Sequence, residues 1–429
     1  MLYINKEKSL IDKYIEWLVA LVVVYASTFT MFIHLMDWAG LTVVSGVIRY
    51  TIPLLLLLII LYQKKHEGFK IYNPLFAVFF ILYHVYIFAY LTILRRYPLE
   101  EMLGVPSDIL KCLFFFFVTV LYLLCSKTIA IKFNFKKFLF LSVIVCLIPS
   151  VIFILAVGIE TIQMGIGRDD ENYISTLGLT YSNVPIIVMA VMYYKKIFKN
   201  KWLSIFISLS VALVGIYIII LYGKRGPLLW TFVNIAICLF VISIHRMKVI
   251  MAMFVVAILI VLSYDVILAN IKIISPKAAE RIEVSIEEGD THGRYDANYE
   301  SQSIYGVGIK NFLESPLVGY YFRLVTSNMS IRGYYAHNIF IEIAMTMGLL
   351  GFVPFMILLI MAFRKSLKLF KLKFMRNNIS LLILFLCPFL QLQTTGSLLF
   401  SYDFWLFFYI LCYLDKLYMY NKTVKRKVI

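Results

Sequence analysis

Charge is what this 429-residue chain has least of. Asp, Glu, Lys and Arg make up 15% of it, 62% is hydrophobic, and the mean hydropathy is +0.87. A water-soluble enzyme or nucleic-acid-binding domain of this length needs far more polar surface, so a polytopic membrane protein is implied. Cysteine is scarce as well. All six, Cys112, Cys125, Cys146, Cys238, Cys387 and Cys412, fall inside or at the ends of apolar runs, which argues against a disulfide framework and a thiolate metal site. No period-2 alternation, low-complexity linker or internal repeat interrupts the chain, so strands and separate domains are not expected. No small-residue cleavage pattern follows the first apolar run, from Lys13 to near Met36, which therefore reads as a membrane helix rather than a removable signal.

What the chain does have is a series of apolar segments beginning near Tyr14, Leu41, Tyr72, Ile109, Phe138, Leu179, Trp202, Pro227, Val249, Asn338, Ile379 and Leu399. The fold class expected is all-α and polytopic, with about twelve transmembrane helices in a single membrane domain over residues 1–429. One long polar interval, 273–337, separates the ninth segment from the tenth. Within it Ile304, Val307, Gly308 and Phe312 recur near helical spacing, and Pro316 with Gly319 ends the run. This predicts an amphipathic helix lying along the membrane surface.

The net charge of +17 would suggest nucleic acid in a soluble protein; here its distribution reports orientation instead. The N-terminus, every even-numbered loop and the tail carry the basic runs, among them Lys64-Lys65, Lys136-Lys137, Lys195-Lys196 and Lys425-Arg426-Lys427. Cytoplasmic loops retain such an excess, so both termini are expected in the cytoplasm of an inner-membrane protein and the long interval on the periplasmic face. The bilayer is then the partner that the composition calls for, and nucleic acid is not.

The few cations on the other side need their own explanation. Arg225 lies in Tyr222-Gly223-Lys224-Arg225-Gly226-Pro227, between two apolar segments. Pro227 suits the first turn of a helix, so Lys224 and Arg225 would stand at a helix N-terminus, where free N–H groups and the dipole favour an anion. Arginine adds a bidentate clamp on phosphate. The plainer reading is a basic pair snorkelling at the interface. His337 follows Arg332-Gly333-Tyr334-Tyr335-Ala336, where the next helix begins. The positive end of that helix disfavours imidazolium, leaving a neutral, proton-accepting ring suited to general-base catalysis, with Asn338 or a backbone carbonyl to fix its tautomer. The plainer reading here is a histidine that only caps the helix.

Asp169-Asp170-Glu171 offers adjacent carboxylates of the kind that hold a divalent metal. A solvated loop tip is the plainer reading of so unspecific a spacing, and no metal and no cofactor is assigned. Arg49, Asp108 and Lys111 are charges within or at the ends of apolar segments; Asp108 and Lys111, three residues apart, can pair. Tyr320, Tyr321, Phe322, Tyr334 and Tyr335 suit an interfacial belt, or faces on which sugars stack.

His337, with Gly348 and Gly351 in His-Asn-Ile-Phe-Ile-Glu-Ile-Ala-Met-Thr-Met-Gly-Leu-Leu-Gly, resembles the histidine-to-glycine signature of the O-antigen ligase and O-antigen polymerase superfamily. Arg225 followed by Leu229 is similar to the family's arginine motif. Gly293-Arg294 leading into Ile309-Lys310-Asn311-Phe312-Leu313-Glu314-Ser315-Pro316-Leu317-Val318-Gly319 resembles its long-loop motif. The resemblance is specific from Gly223 to Gly351. It implies a GT-C-like integral-membrane glycosyltransferase that takes a glycan from undecaprenyl diphosphate and joins it to another saccharide without a metal. The family's two arginines and histidine then fall on Arg225, Arg294 and His337. Arg168 is set beside a further family arginine, and Lys224, Arg332, Tyr335 and Asn338 are expected to bind diphosphate or glycan. The implied partners are lipid-linked oligosaccharide donor and acceptor, with a chain-length regulator beside them. Three functions are weighed: a polysaccharide polymerase, a ligase that delivers the finished chain to lipid A core, and a flippase or secondary transporter. The last predicts charged or broken helices at matching midplane positions of two halves, whereas the second half carries its charges at helix ends.

Overall fold

The computed structural model describes residues 10–29, 32–33, 36–37, 39–66, 68, 71–90, 105–159, 162, 176–276, 279–280, 282–283, 303–324, 335–372 and 375–419. These are all-helical, with no strand among them. In chain order the helices are α1 (Leu10–Ser27), α2 (Thr42–His66), α3 (Pro74–Ala89), α4 (Val105–Lys132), α5 (Phe135–Val157), α6 (Thr176–Met192), α7 (Lys201–Leu221), α8 (Arg225–Ile242), α9 (Arg246–Leu262), α10 (Tyr264–Ile274), α11 (Ile304–Glu314), α12 (Ile339–Leu369), α13 (Ser380–Gln391) and α14 (Tyr402–Cys412).

An apolar helix begins within a few residues of each position expected from the sequence. Six of the described helical segments are long and apolar enough to cross a bilayer, and the α9–α10 pair, bent by 69°, makes a seventh. The expectation of twelve full spans is therefore met only in part. α13 and α14 have 12 and 11 residues. At about 1.5 Å per residue each covers little more than half of the roughly 30 Å hydrocarbon core. Both are apolar on every face and almost wholly buried, as such helices must be inside a bundle. They form the centre of the molecule, packed between α12, α8, α6 and α4. At the other extreme none of the residues of α9 is buried, so lipid-like surroundings suit its uniformly apolar surface.

The basic loops gather at one end of the bundle. There Lys132 pairs with Asp12, Lys137 with Glu16 at 3.1 Å and Lys365 with Asp415 at 2.7 Å, while Arg246 donates to the Leu367 carbonyl at 2.7 Å. α13 starts at that end, where the Ser380 N–H donates to the Tyr193 hydroxyl at 3.1 Å, and α14 finishes there, where Lys365 donates to the Cys412 carbonyl. The turn between them, residues 392–401, faces the opposite end.

At that opposite end α12 is not one helix. Gly348 (φ 58°, ψ −156°) breaks it sharply, and the turn after α11 fills the break. The Leu349 and Leu350 N–H groups donate to the Pro316 and Leu317 carbonyls at 2.8 and 3.0 Å, and the Met345 carbonyl accepts from Tyr320 and Tyr321 N–H at 2.9 and 3.0 Å. Backbone groups that a broken helix would leave orphaned are thus satisfied by another backbone. The two strands of chain cross so closely that a Cβ on Gly319 would lie 2.4 Å from Gly348 N and one on Gly348 would lie 2.5 Å from Gly319 N. Both glycines also have positive φ, which a side chain disfavours. α11 is capped by Ser303, whose hydroxyl accepts from Gly306 N at 3.0 Å, and it buries Ile304, Val307 and Gly308. The amphipathic helix expected over 303–312 is present, and its apolar face packs against α12 rather than only against a membrane surface.

Candidate active site

Outside the α13–α14 pair, side chains or backbone of α6, α8, α11 and α12 hydrogen-bond to the turn 392–401. The Leu392 carbonyl accepts from Ile339 N–H, at the start of α12, at 3.0 Å. The Thr394 hydroxyl lies 2.7 Å from the Tyr181 hydroxyl of α6 and accepts from the Trp230 indole N–H of α8 at 3.1 Å. The Gln393 carbonyl accepts from Tyr305 of α11 at 3.3 Å. A Cβ on Gly226 would lie 2.7 Å from the Tyr181 hydroxyl, so glycine is what lets the start of α8 close onto this turn. The N-termini of α8 and α12, one led by Arg225 and the other preceded by His337, therefore rest on the same ten residues.

Arg225 is the first residue of α8, half-buried, after Gly223 at φ +62° and Lys224 at the cap. Lys224 makes no side-chain cap hydrogen bond to this helix, and a helix start carries a partial positive charge that favours an anion. Tyr222, three residues earlier, is packed into the body. Burial pushes its phenol up, so it stays neutral and is not a proton acceptor at ordinary pH.

His337 differs from its expected place in one respect. The cap of α12 is Asn338, whose side-chain oxygen accepts from Phe340 and Ile341 N–H at 3.0 and 3.3 Å. His337 therefore precedes the cap and lies outside the first turn. The oxygen of Asn338 is committed to the helix rather than to the imidazole. To make this corner His337 adopts φ +51°, the left-handed conformation, alone among non-glycine residues in the described chain. Such geometry is uncommon outside glycine, although histidine, asparagine and aspartate adopt it more than other residues, and where it occurs it clusters at functional sites. The Tyr335 ring meets the imidazole edge-on, centroids 4.9 Å apart. On Tyr335 sits the Arg323 guanidinium, 5.1 Å from the ring centroid and 5.0 Å from that of Phe322.

Beneath this stack lies Glu342, 1% exposed. Its carboxylate accepts from the Ser397 hydroxyl at 2.6 Å, from Leu398 N–H at 3.1 and 3.2 Å, and from the Tyr83 hydroxyl of α3 at 3.2 Å. Arg323 is the cation whose field reaches both Glu342 and Tyr83. From sequence alone Glu342 and Ser397 draw no notice, and Arg323 stands out only as one of the few cations on the outer face, with no role assigned. One signal was present, since Glu342 is a lone carboxylate inside an apolar run.

Arg168, Arg294 and Arg332 lie outside the described residues, as do Asp169, Asp170 and Glu171 and the side chains of Arg49, Asp108 and Lys111. Among the described residues no group of His, Cys, Asp and Glu is arranged to hold a metal.

Residues 209–356 match the family model described as O-antigen ligase. This segment is similar to an O-antigen ligase domain. It runs from within α7 to within α12, and so takes in Arg225, Arg294, His337 and the Gly319–Gly348 crossing. Members of that family are glycosyltransferase-like enzymes that act on polysaccharides, and the apolar helices of this chain indicate a membrane protein. No curated protein matches the sequence. In the domain the arginine motif and the histidine motif are more than a hundred residues apart. The turn outside the matched segment is what joins them.

Proposed function

We propose that this protein is a surface-polysaccharide polymerase of GT-C type, moving a glycan chain from undecaprenyl diphosphate to the acceptor sugar of a lipid-linked repeat unit at the periplasmic face. The observation that supports this best is the meeting of the α8 and α12 N-termini on the 392–401 turn. Contacts to this one turn come from the helix that begins with Arg225 and from the helix that follows His337, a residue in the left-handed conformation, and this supports a shared site.

The chemistry needs such a pair. The acceptor oxygen attacks the anomeric carbon, the bond from that carbon to the diphosphate oxygen breaks, and its electron pair leaves with undecaprenyl diphosphate. That leaving group departs already anionic, so it requires positive charge rather than a general acid, and Arg225 with Arg294 supplies it. The acceptor hydroxyl must lose its proton as it attacks, and His337 takes it. Lys224, Arg168 and Arg332 add to the field around the diphosphate, and Tyr335 borders the acceptor.

The ligase reading is favoured by the description of the matched family, and the chemistry is common to both. A strain lacking this protein separates them in its lipopolysaccharide profile. Core bearing one repeat unit supports polymerase. Core without repeats, beside polymer left on its carrier, supports ligase. An unchanged profile removes both.

A further inference from the structure

Glu342 sits where the two halves of the candidate site are joined, yet neither half of the reaction uses it. Its carboxylate is buried in α12 and faces only donors: the Ser397 hydroxyl, the Leu398 N–H and the Tyr83 hydroxyl. A buried carboxylate is costly unless its acceptor capacity is filled, and here three groups from two other parts of the chain fill it. Ser397 and Leu398 belong to the turn whose Leu392 carries the start of α12 and whose Thr394 packs near Gly226 and Trp230 of α8. On its other flank Glu342 lies in the field of Arg323, which stacks on Tyr335 and through that ring adjoins His337.

We propose that Glu342 is a positioning residue: by clamping Ser397 and Leu398 it fixes the turn on which Arg225's helix and His337's helix both rest, and so sets the spacing between the diphosphate-binding cation and the base. The inference rests on the transferase reading of the site. It goes beyond that reading in assigning the geometry to a third, buried group. An acceptor-only carboxylate is required. All three donors reach one carboxylate oxygen and only the Leu398 N–H also reaches the other, so Gln at this position would remove the charge and set an N–H₂ against the Leu398 N–H, weakening that anchor while the side chain kept its volume. Misplacement of about 1 Å between reacting groups is enough to cost roughly a hundredfold in rate.

The test uses the full-length protein purified in detergent or nanodiscs, with a lipid-linked oligosaccharide as donor and acceptor. Glu342→Gln and the milder Ser397→Ala are compared with wild type for melting temperature, donor affinity and turnover. The expected result is a turnover loss of about tenfold or more for Glu342→Gln and a smaller one for Ser397→Ala, with donor affinity within about threefold. The double variant should be no slower than Glu342→Gln alone, because both act through one clamp. Glu342→Asp, which keeps the charge on a shorter arm, should recover part of the loss. Wild-type turnover in both single variants overturns the inference. So does a parallel fall in melting temperature, affinity and turnover, which would make Glu342 a packing residue only. His337→Ala, run alongside, separates this from the reaction itself. Full activity there overturns the base assignment, whereas an inactive His337→Ala with wild-type Glu342→Gln and Ser397→Ala overturns only the clamp.

Discussion

A histidine at φ +51° can be replaced in ways that separate its shape from its chemistry. Asparagine tolerates the left-handed region better than other non-glycine residues but cannot act as a base near neutral pH. His337→Asn should therefore fold and reach the membrane like wild type and still lose about a hundredfold to ten-thousandfold in turnover. Turnover above about a tenth of wild type would show that the proton does not pass through this ring. In the wild-type enzyme the rate should fall on the acid side, since a protonated imidazole cannot accept the hydroxyl proton. Whatever activity remains in His337→Asn should lack that limb. Arg225 has a corresponding pair of tests. Arg225→Lys keeps the charge and loses the planar fork, so it should be impaired, and Arg225→Ala should be impaired further. Donor binding, measured with labelled lipid-linked oligosaccharide, should weaken in the same order. Unchanged binding in both would return Arg225 to a role as an interface anchor.

Among the elements, α12 departs furthest from what a hydropathy pattern conveys. Its apolar run is continuous in sequence, yet the helix breaks at Gly348 around the Pro316–Gly319 turn. Gly348→Ala and Gly319→Ala each place a methyl group within 2.5 Å of backbone atoms that cannot swing aside, at a φ that itself costs about 1–2 kcal/mol for a residue with a side chain. Both should lower the melting temperature and the folded yield. By contrast Asn338→Ala should cost only about 1 kcal/mol, the worth of a lost cap. Equal effects from the three would mean that the crossing is no tighter than an ordinary cap. The sequence displayed the glycines and the histidine because each stands in a local motif. It could not display the crossing, because two backbones met there. Nor could it display the Glu342 cluster, whose partners Ser397 and Tyr83 are 55 and 259 positions away. The start of α8 was legible from Pro227 and Arg225 alone. The corner at His337 was not, since left-handed geometry in a non-glycine residue is set by what surrounds it, here a capped helix and the Tyr335 ring.

For the whole molecule, the helix order and the basic end follow from hydropathy and charge alone, and the burial of α13 and α14 follows from their lack of any polar face. Their shortness was not legible, because an apolar run does not reveal where a turn will interrupt it. Reporter fusions after Lys199 and after Arg376 should give a cytoplasmic signal, and fusions within residues 301–315 should give a periplasmic one. A cytoplasmic signal from the last would put the proposed site on the wrong side of the membrane for its substrate.

The broken helix also bears on how the chain is made. A half-helix ending in open carbonyls, followed by another starting with open N–H groups, is a poor passenger for a translocon, because nothing in hydrocarbon can meet those groups. The segment that does meet them, 316–321, is synthesised some thirty residues earlier and has already emerged when Gly348 leaves the ribosome. α12 need never insert as a bare kinked rod. It can be laid around a wedge that is waiting for it, and a chain cut between α11 and α12 and expressed as two pieces would have to find that wedge by diffusion.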